Sequence, residues 1–392
     1  MSYSSSTFRE GDFLEIEQGI PPAVFAESYL PEYLDRIGLP RSLAAEPPTL
    51  SLLSRLVNAH FHSIPFENGD VHLRGGVSLL MADIFEKMVR QRRGGYCFEQ
   101  NRLMAHVLRS LGFLVDIKEA RVFFDDGEHP RRPYLPTRTH ILLIVKVPAV
   151  SRTSSEEEED EKEKDMMYLV DVGFGGSGPR LPLPFLPDTP AQQEGATLVL
   201  RQRKQEDQDW EVVPLLTEWE LWCQEAGMEA PMRLYRFHLD SYFAWVDTVV
   251  ANMNVYAHPQ SMFACLLWIT LTTKEGVRHF LMNDLYTRTV FKEDGSAIVE
   301  KREERIETVE RLARLLKDPE NGFGMTNLSK EEIEVLWRVS RFGGAPQQQR
   351  QQAKATRQGN ALVESPSMVW MGAAAGLAVV AAYLLGRKSV AA

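Results

Sequence analysis

The stretch Arg92-Arg93-Gly94-Gly95-Tyr96-Cys97-Phe98-Glu99-Gln100-Asn101 puts a cysteine where a strong nucleophile is made. The glycine pair permits a tight, crowded turn, and the apolar spacing that follows (Phe98, Leu103, Met104, Val107, Leu108, Leu111) predicts a helix. Cys97 then stands at or near a helix N-terminus, where the dipole and the free N–H groups favour thiolate over thiol. A lone cysteine is commonly an inert core residue. The basic residues and glycines just before Cys97 argue against that reading.

A thiol nucleophile needs a base to hold its proton and a third group to orient the base. His140, in Thr137-Arg138-Thr139-His140-Ile141, stands at the mouth of an apolar strand, and Asp171, in Val170-Asp171-Val172-Gly173-Phe174-Gly175, ends the next one beside a glycine-rich loop. If those strands pair antiparallel, the start of the first lies opposite the end of the second, which brings His140 and Asp171 together. Each residue alone has a structural reading: His140 as one of nine histidines, Asp171 as a cap on the glycine turn. With Cys97 they give the order Cys, His, Asp of a nucleophilic triad.

The elements that must position these side chains follow from periodicity. Up to about residue 112 the apolar spacing is helical (Tyr29, Leu30, Tyr33, Leu34; Leu52, Leu53, Leu56, Val57; Ile84, Phe85, Met88, Val89) and predicts a helical bundle bearing the nucleophile over 1–112. Period-two and continuous apolar runs then take over at 113–117, 141–147, 168–172 and 197–200, predicting a sheet or barrel over 113–240. The run Glu156-Glu157-Glu158-Glu159-Asp160-Glu161 marks an acidic loop insertion at 151–165, far from the chemistry, with docking of a basic partner as its other reading. A connecting helix is expected over 241–258 and an α/β unit over 259–342. Within that unit 262–272 and 287–291 read as strands, and 299–316 and 329–339 read as helices. Ser329 and Glu332 form a capping signature for the last of these.

Composition bounds the function. A net charge of −10 argues against a nucleic-acid partner. Three scattered cysteines exclude a disulfide framework or a Cys-rich zinc site and point to a reducing compartment. The segment Met1 to Ser6 has neither the basic nor the apolar region of a secretory signal. Residues 343–366 are a Gln-rich, polar linker that reads as disordered, and Val369 to Leu385 is free of charge and followed by Arg387 and Lys388. As a helix that stretch is roughly 25 Å long, near the lower limit for a bilayer. The expectation is a tail-anchoring transmembrane helix over 367–388, with Trp370 and Tyr383 at its interfaces and weak self-association through Gly372 and Gly376. The catalytic body would face the cytosol from the mitochondrial outer membrane, with the ER or peroxisome as alternatives.

Taken together, these motifs resemble the arylamine N-acetyltransferase family. The resemblance is carried by Tyr33 to Gly38, His60 with Ile64-Pro65-Phe66-Glu67-Asn68, Arg92 to Asn101, Thr139-His140, and Asp171 to Gly175, and more weakly by Tyr235-Arg236-Phe237, Asn252, His258-Pro259, Ser261 and Phe263. It covers most of the chain except the acidic insertion and everything beyond about residue 343. It implies an α+β fold of helical bundle, β-barrel and α/β lid, with a core like those of transglutaminase and papain. Cys97, His140 and Asp171 match the family's catalytic triad, and acetyl-CoA is the implied acyl donor, used as a co-substrate with no bound cofactor or metal. The implied reaction is a ping-pong acyl transfer to the nitrogen of an arylamine or hydrazine. Phe66, Phe174, Gly175 and Phe263 match acceptor-pocket positions, while Thr137, Arg138 and Ser261 match positions that approach CoA. Arg93 and Glu67 are expected to pair behind the nucleophile.

The departures also carry expectations. Gln100 replaces a commonly apolar residue, with little consequence expected, and Gly176-Ser177-Gly178 stands where some relatives are bulky or basic, which widens the pocket. Asn254 and Gln260 replace hydroxyl-bearing residues and leave malonyl-CoA or propionyl-CoA open as donors. The competing readings are a Cys-His-Asp thiol hydrolase or transglutaminase-like enzyme, and a non-catalytic, membrane-tethered scaffold.

Overall fold

The computed structural model describes residues 10–125, 136–148, 166–203, 217–259, 261–292 and 297–343. The chain begins with α1 (Glu10–Gln18), α2 (Pro22–Ser28), α3 (Leu30–Arg36), α4 (Leu50–Ser63), a short strand β1 (Phe66–Glu67), α5 (Gly69–Leu73), α6 (Met81–Phe85) and α7 (Cys97–Ser110). Thr49 starts α4 by accepting the Leu52 N–H at 3.3 Å. The apolar stripe Leu52, Leu53, Leu56 and Val57 is then buried. The α7 helix is buried continuously from Cys97 to Leu108, so it is the central helix of this layer, and its polar residues must find partners inside the protein.

Strands β2 (Leu114–Asp125), β3 (Arg138–Val147), β4 (Met166–Val170), β5 (Leu183–Pro184), β6 (Pro190–Gln193), β7 (Ala196–Gln202), β8 (Glu218–Glu225) and β9 (Met232–His238) form one sheet. Their order is β5-β4-β3-β2-β9-β8-β7-β6. The two edges are stitched by a side chain. Gln193 on β6 accepts from the Arg180 and Leu181 N–H groups at 2.7 and 3.1 Å and donates to the Leu181 carbonyl at 3.0 Å, imitating a rung of backbone ladder. The sheet thereby becomes a nearly closed barrel. The continuous apolar run of β3 has a simple cause: Ile141, Leu143 and Val145 pack into the helical layer, whereas Leu142 and Ile144 point into the barrel. Pairing of β3 with β4 is antiparallel, with Leu143 opposite Val170 and Val147 opposite Met166. The start of β3 therefore lies beside the end of β4, and the acidic insertion joins their far ends.

The third layer contains α8 (Thr248–Ala257), α9 (Met262–Cys265), β10 (Trp268–Thr272), β11 (Val277–Met282), β12 (Leu285–Phe291), β13 (Ile298–Arg305), α10 (Val309–Lys317) and α11 (Lys330–Phe342). Ser329 and Glu332 cap α11 reciprocally, at 3.1 and 2.9 Å, as their spacing predicts. The sheet runs β1-β10-β11-β12-β13, so β1, which lies within the bundle's stretch of sequence, forms its edge. Leu312, Leu315, Leu316, Ile333 and Leu336 of α10 and α11 pack with Ile269 and Leu281 of the sheet.

Two sequence expectations need correction. Residues 299–316 are not one helix, because 298–305 pair with β12 as a charged edge strand and only then does Thr308 cap α10, accepting the Arg311 N–H at 3.2 Å. Charged side chains on both faces hide the two-residue period, and the open edge of β12 decides the conformation. Residues 262–272 are likewise not one strand: Met262–Cys265 forms a helical turn before β10 begins. Among the described residues no helix is long and apolar enough to cross a membrane. The 369–385 segment, with Gly372 and Gly376, lies outside the described residues, as do the acidic insertion at 151–165 and Gln260.

Candidate active site

The turn before the nucleophile is packed to contact. A Cβ on Gly94 would lie 1.9 Å from the Pro65 carbonyl oxygen, so only glycine allows the 64–67 segment to cross here. Gly95 donates its N–H to Pro65 at 3.3 Å and accepts from the Glu67 N–H at 3.1 Å. The α7 helix starts at the next turn of chain. Tyr96 is the N-cap, and Glu99 accepts the Tyr96 N–H at 3.2 Å, leaving Cys97 as the first helical residue.

Gln100 holds this crossing, contrary to the minor role expected of it. Its Nε2 donates to the Pro65 and Gly95 carbonyls at 3.0 and 3.1 Å, and its Oε1 lies 2.5 Å from His60 Nε2. Because the amide nitrogen spends both protons on carbonyls, Oε1 must accept, so His60 carries its proton on Nε2. His60 Nδ1 then accepts from the Tyr33 hydroxyl at 3.0 Å. Burial drives the His60 pKa down to about 4, so the ring is neutral and works as a spacer.

Behind Cys97 lies a closed cluster of charges. Arg93 bonds Glu67 and Asp70, each at 2.7 Å, the pairing with Glu67 that the sequence leads one to expect. Lys87 bonds Glu99 at 2.6 Å and lies 3.6 Å from Asp70. Three carboxylates thus face Arg93, Lys87 and, 3.4 Å from Asp70, the partly exposed Arg74, and burial pushes Glu99 up to about 7 despite Lys87.

The chemistry-bearing residues meet at the junction of all three layers. Asp171 Oδ2 lies 2.7 Å from His140 Nε2, and both side chains are buried. The remaining ring nitrogen, Nδ1, is left for Cys97, whose thiol donates to the Thr139 carbonyl at 3.8 Å. Burial alone would lower the His140 pKa, but the charge and hydrogen bond of Asp171, with Cys97 adding to them, raise it to about 10. His140 shares the barrel-facing side of β3. Phe174 and Tyr235 close around it there, with ring centroids 5.2 and 5.1 Å away.

Three further residues surround the constellation. Asn101 is one helical turn after Cys97 and bridges the strands. Its Nδ2 donates to Asp171 Oδ1 at 2.9 Å and to the Ile141 carbonyl at 2.7 Å, and its Oδ1 accepts the Val172 N–H at 3.1 Å. The four-residue spacing from Cys97 is the signal that could have found it. Gly173 donates its N–H to Asp171 Oδ1 at 3.0 Å and must be glycine, since its Cβ would lie 2.6 Å from Cys97 Cα. Tyr235 is buried beside them, its ring packed against His140 and Phe174 with centroids 5.1 and 5.2 Å away. Its only mark in the sequence is the short Tyr235-Arg236-Phe237 motif.

The four positions expected to wall an acceptor pocket separate into two groups. Phe66 and Gly175 line a cavity together with Phe61, Ile64, Thr270 and Leu271. Phe263 packs on Phe66 with centroids 5.7 Å apart. Phe174 turns the other way, onto His140 and Tyr235. Among the positions expected to approach CoA, Thr137 Oγ1 accepts from Asn254 Nδ2 at 3.0 Å, tying the mouth of β3 to α8. Arg138 is paired with Glu119, and the Ser261 hydroxyl donates to the Val255 carbonyl. Among the described residues, no group of three His, Cys, Asp or Glu side chains could hold a metal ion.

Known proteins share this arrangement of elements. An N-acetyltransferase family model matches residues 49–319. The arylamine N-acetyltransferase of Mycolicibacterium smegmatis is 35% identical over 251 residues, which is 62% of this chain and 76% of that protein. The solved Salmonella typhimurium arylamine N-acetyltransferase aligns with a TM-score of 0.62 at 28% identity, covering 80% of this chain and 98% of its own. The Mycobacterium marinum arylamine N-acetyltransferase, solved in complex with CoA, aligns with a TM-score of 0.62 at 27% identity over 79% of this chain and 98% of its own. With a family model spanning most of the sequence and a relative above 30% identity matched over three quarters of its length, the chain belongs to the arylamine N-acetyltransferase family.

Proposed function

We propose that the protein transfers an acetyl group from acetyl-CoA to the nitrogen of an arylamine by way of a thioester on Cys97. The observation that carries this reading is the buried His140–Asp171 pair, 2.7 Å apart, set beside Cys97 at a helix N-terminus. A protonated imidazole against the sulfur favours the thiolate, which attacks the acetyl carbonyl of acetyl-CoA. The CoA sulfur leaves as the carbon–sulfur bond to Cys97 forms, and His140 supplies its proton. In the second half, the amine lone pair attacks the Cys97 thioester. The new C–N bond forms, the Cys97 sulfur departs as thiolate, and His140 takes the proton from nitrogen. Asp171 keeps the imidazole in one orientation throughout.

Intact-protein mass spectrometry after mixing with acetyl-CoA tests the first half. One added acetyl group, lost when an arylamine follows, is the expected result; free hydrolysis of acetyl-CoA with no enzyme adduct would sink the reading. Competing acetyl-, malonyl- and propionyl-CoA in the same mixture identifies the donor by the adduct that accumulates.

We further propose, from hydropathy alone, that residues 369–385 form a membrane-spanning helix. Removing 367–392 is expected to shift the protein from the membrane pellet to the supernatant with turnover retained. A full-length chain found wholly in the supernatant refutes the anchor.

A further inference from the structure

Arg278 stands on β11 between Thr272 of β10 and Thr289 of β12, yet its side chain leaves that sheet and reaches the barrel. Nη1 and Nη2 donate to the two oxygens of Glu225 at 2.7 and 2.9 Å, a bidentate pair with the last residue of β8. Nη2 also donates to the Gly176 carbonyl at 2.8 Å, and Nε donates to the Thr272 hydroxyl at 3.3 Å. The flat face of the guanidinium rests on Phe291, 5.0 Å from the ring centroid. Burial alone would raise the Glu225 carboxyl, but the charge of Arg278 holds it below its ordinary value, so the pair is ionised. One planar fork thus ties together the sheet of the third layer, the barrel and the glycine turn.

That turn carries part of the candidate active site. Gly176 closes the segment Asp171-Val172-Gly173-Phe174-Gly175-Gly176, in which Asp171 bonds His140 and the Phe174 ring lies against it. The Gly176 carbonyl accepts a second guanidinium bond, from Arg180 at 3.2 Å, so both of its lone pairs are spent. Arg180 is fixed in turn, since its backbone N–H donates to Gln193 on the barrel's edge strand at 2.7 Å. The turn is therefore gripped twice, from the barrel by Arg180 and from the third layer by Arg278.

Glycine at 176 makes the second grip possible. A Cβ there would lie 3.3 Å from Arg278 Nε and 3.2 Å from the Thr270 hydroxyl oxygen, so a side chain at this position would crowd the guanidinium. The Gly176-Ser177-Gly178 run, expected from the sequence to widen a pocket, instead lets an arginine reach the backbone.

Resting on the reading of this chain as an arylamine N-acetyltransferase, we propose that Arg278 is a positioning residue for acetyl transfer. By fixing the Gly176 carbonyl against Glu225, it sets the 173–176 turn and, through it, Phe174 and Asp171 against His140. Arg278 bonds the turn rather than the reacting groups and acts only through it. A buried ion pair contributes little net stability over apolar residues of the same shape, and its use here is to hold one geometry.

Arg278→Met keeps the stem and removes the fork. Turnover should fall about 10- to 100-fold, the range for a misplacement near 1 Å, and iodoacetamide should alkylate Cys97 more slowly by a similar factor at neutral pH. Both rates are read at a temperature where thermal unfolding shows wild type and variant to be folded, with alkylation followed at Cys97 by mass. The alkylation rate separates positioning from loosening: a loosened fold would expose the buried thiol and speed the reaction, whereas a displaced turn leaves His140 worse placed to take the thiol proton and slows it. If Arg278→Met does not fold, Arg278→Lys takes its place, because it keeps a charge beside Glu225 and lacks the fork that reaches Gly176 as well. Alkylation that is unchanged or faster, or turnover within about twofold of wild type, overturns the assignment. Acetylation of wild-type Cys97 by acetyl-CoA, read by mass, is a separate arm: its absence would overturn the underlying acetyltransferase reading, while alkylation would still report on Arg278.

Discussion

Replacing Cys97 with serine is expected to lower arylamine acetylation by at least ~10⁴-fold and to abolish the acetyl adduct on the protein. A serine hydroxyl has nearly the volume of the thiol, so the tight contact with Gly173 survives and the fold should persist. What disappears is the ionisable sulfur that His140 and the start of α7 act upon. Neither remaining cysteine can substitute. Cys223 lies in the barrel core, where burial pushes its thiol up to about 12, and burial also raises the Cys265 thiol. Steady-state turnover, intact mass after acetyl-CoA, and thermal unfolding together check the prediction. A serine variant with near-normal turnover, or an adduct that maps to another residue, would contradict the mechanism.

Asp171→Asn should cost about 10³ to 10⁴-fold in turnover, for a reason fixed by hydrogen-bond bookkeeping. Asn101 Nδ2 and the Gly173 N–H both donate to Asp171 Oδ1, so the amide oxygen of an asparagine must occupy that place. Its NH₂ then faces His140 Nε2, which has to accept. The imidazole proton moves to Nδ1, the side facing Cys97, and the ring no longer receives the thiol proton.

The same substitution removes the charge that keeps the His140 pKa at about 10. In the wild type, His140 binds its proton more tightly folded than unfolded. That contribution to stability is complete below pH ~6.5 and fades as pH rises through about 10. Thermal unfolding from pH 6 to 10 should therefore show a decline in the wild type that is shallower in Asp171→Asn. The rate of Cys97 alkylation near neutral pH should fall in the variant. Matching unfolding curves and matching alkylation rates would show that Asp171 neither charges nor orients His140.

Local signals in the chain carried the chemistry a long way. Two glycines and an apolar helix pattern are short-range features, and they placed Cys97 at the head of α7. The antiparallel partnership of β3 with β4 followed from two adjacent apolar runs joined by an insertion, and it placed His140 beside Asp171. The capping box of α11 was likewise readable from residues three positions apart. Segment 298–305 was not, because its charges satisfy a solvated helix and an edge strand equally well until β12 offers a backbone to pair with.

The sequence by itself pointed to Cys97, to the order of its partners and to the enzyme family, since glycine conformations, helix starts and strand periodicity are encoded within a few residues. Tertiary structure decided what surrounds them. Gln100 became a clamp on the nucleophile's turn only when α4 and the Pro65 crossing came within reach. Thr270 meets the Gly175–Gly176 turn because β1, some 200 residues away along the chain, pairs with β10. Contacts over such separations depend on which backbone edges and cavities the whole chain leaves open, and no local pattern specifies them. The chemical signal is therefore written at Cys97, whereas the surroundings of that residue are set where the three layers close around it.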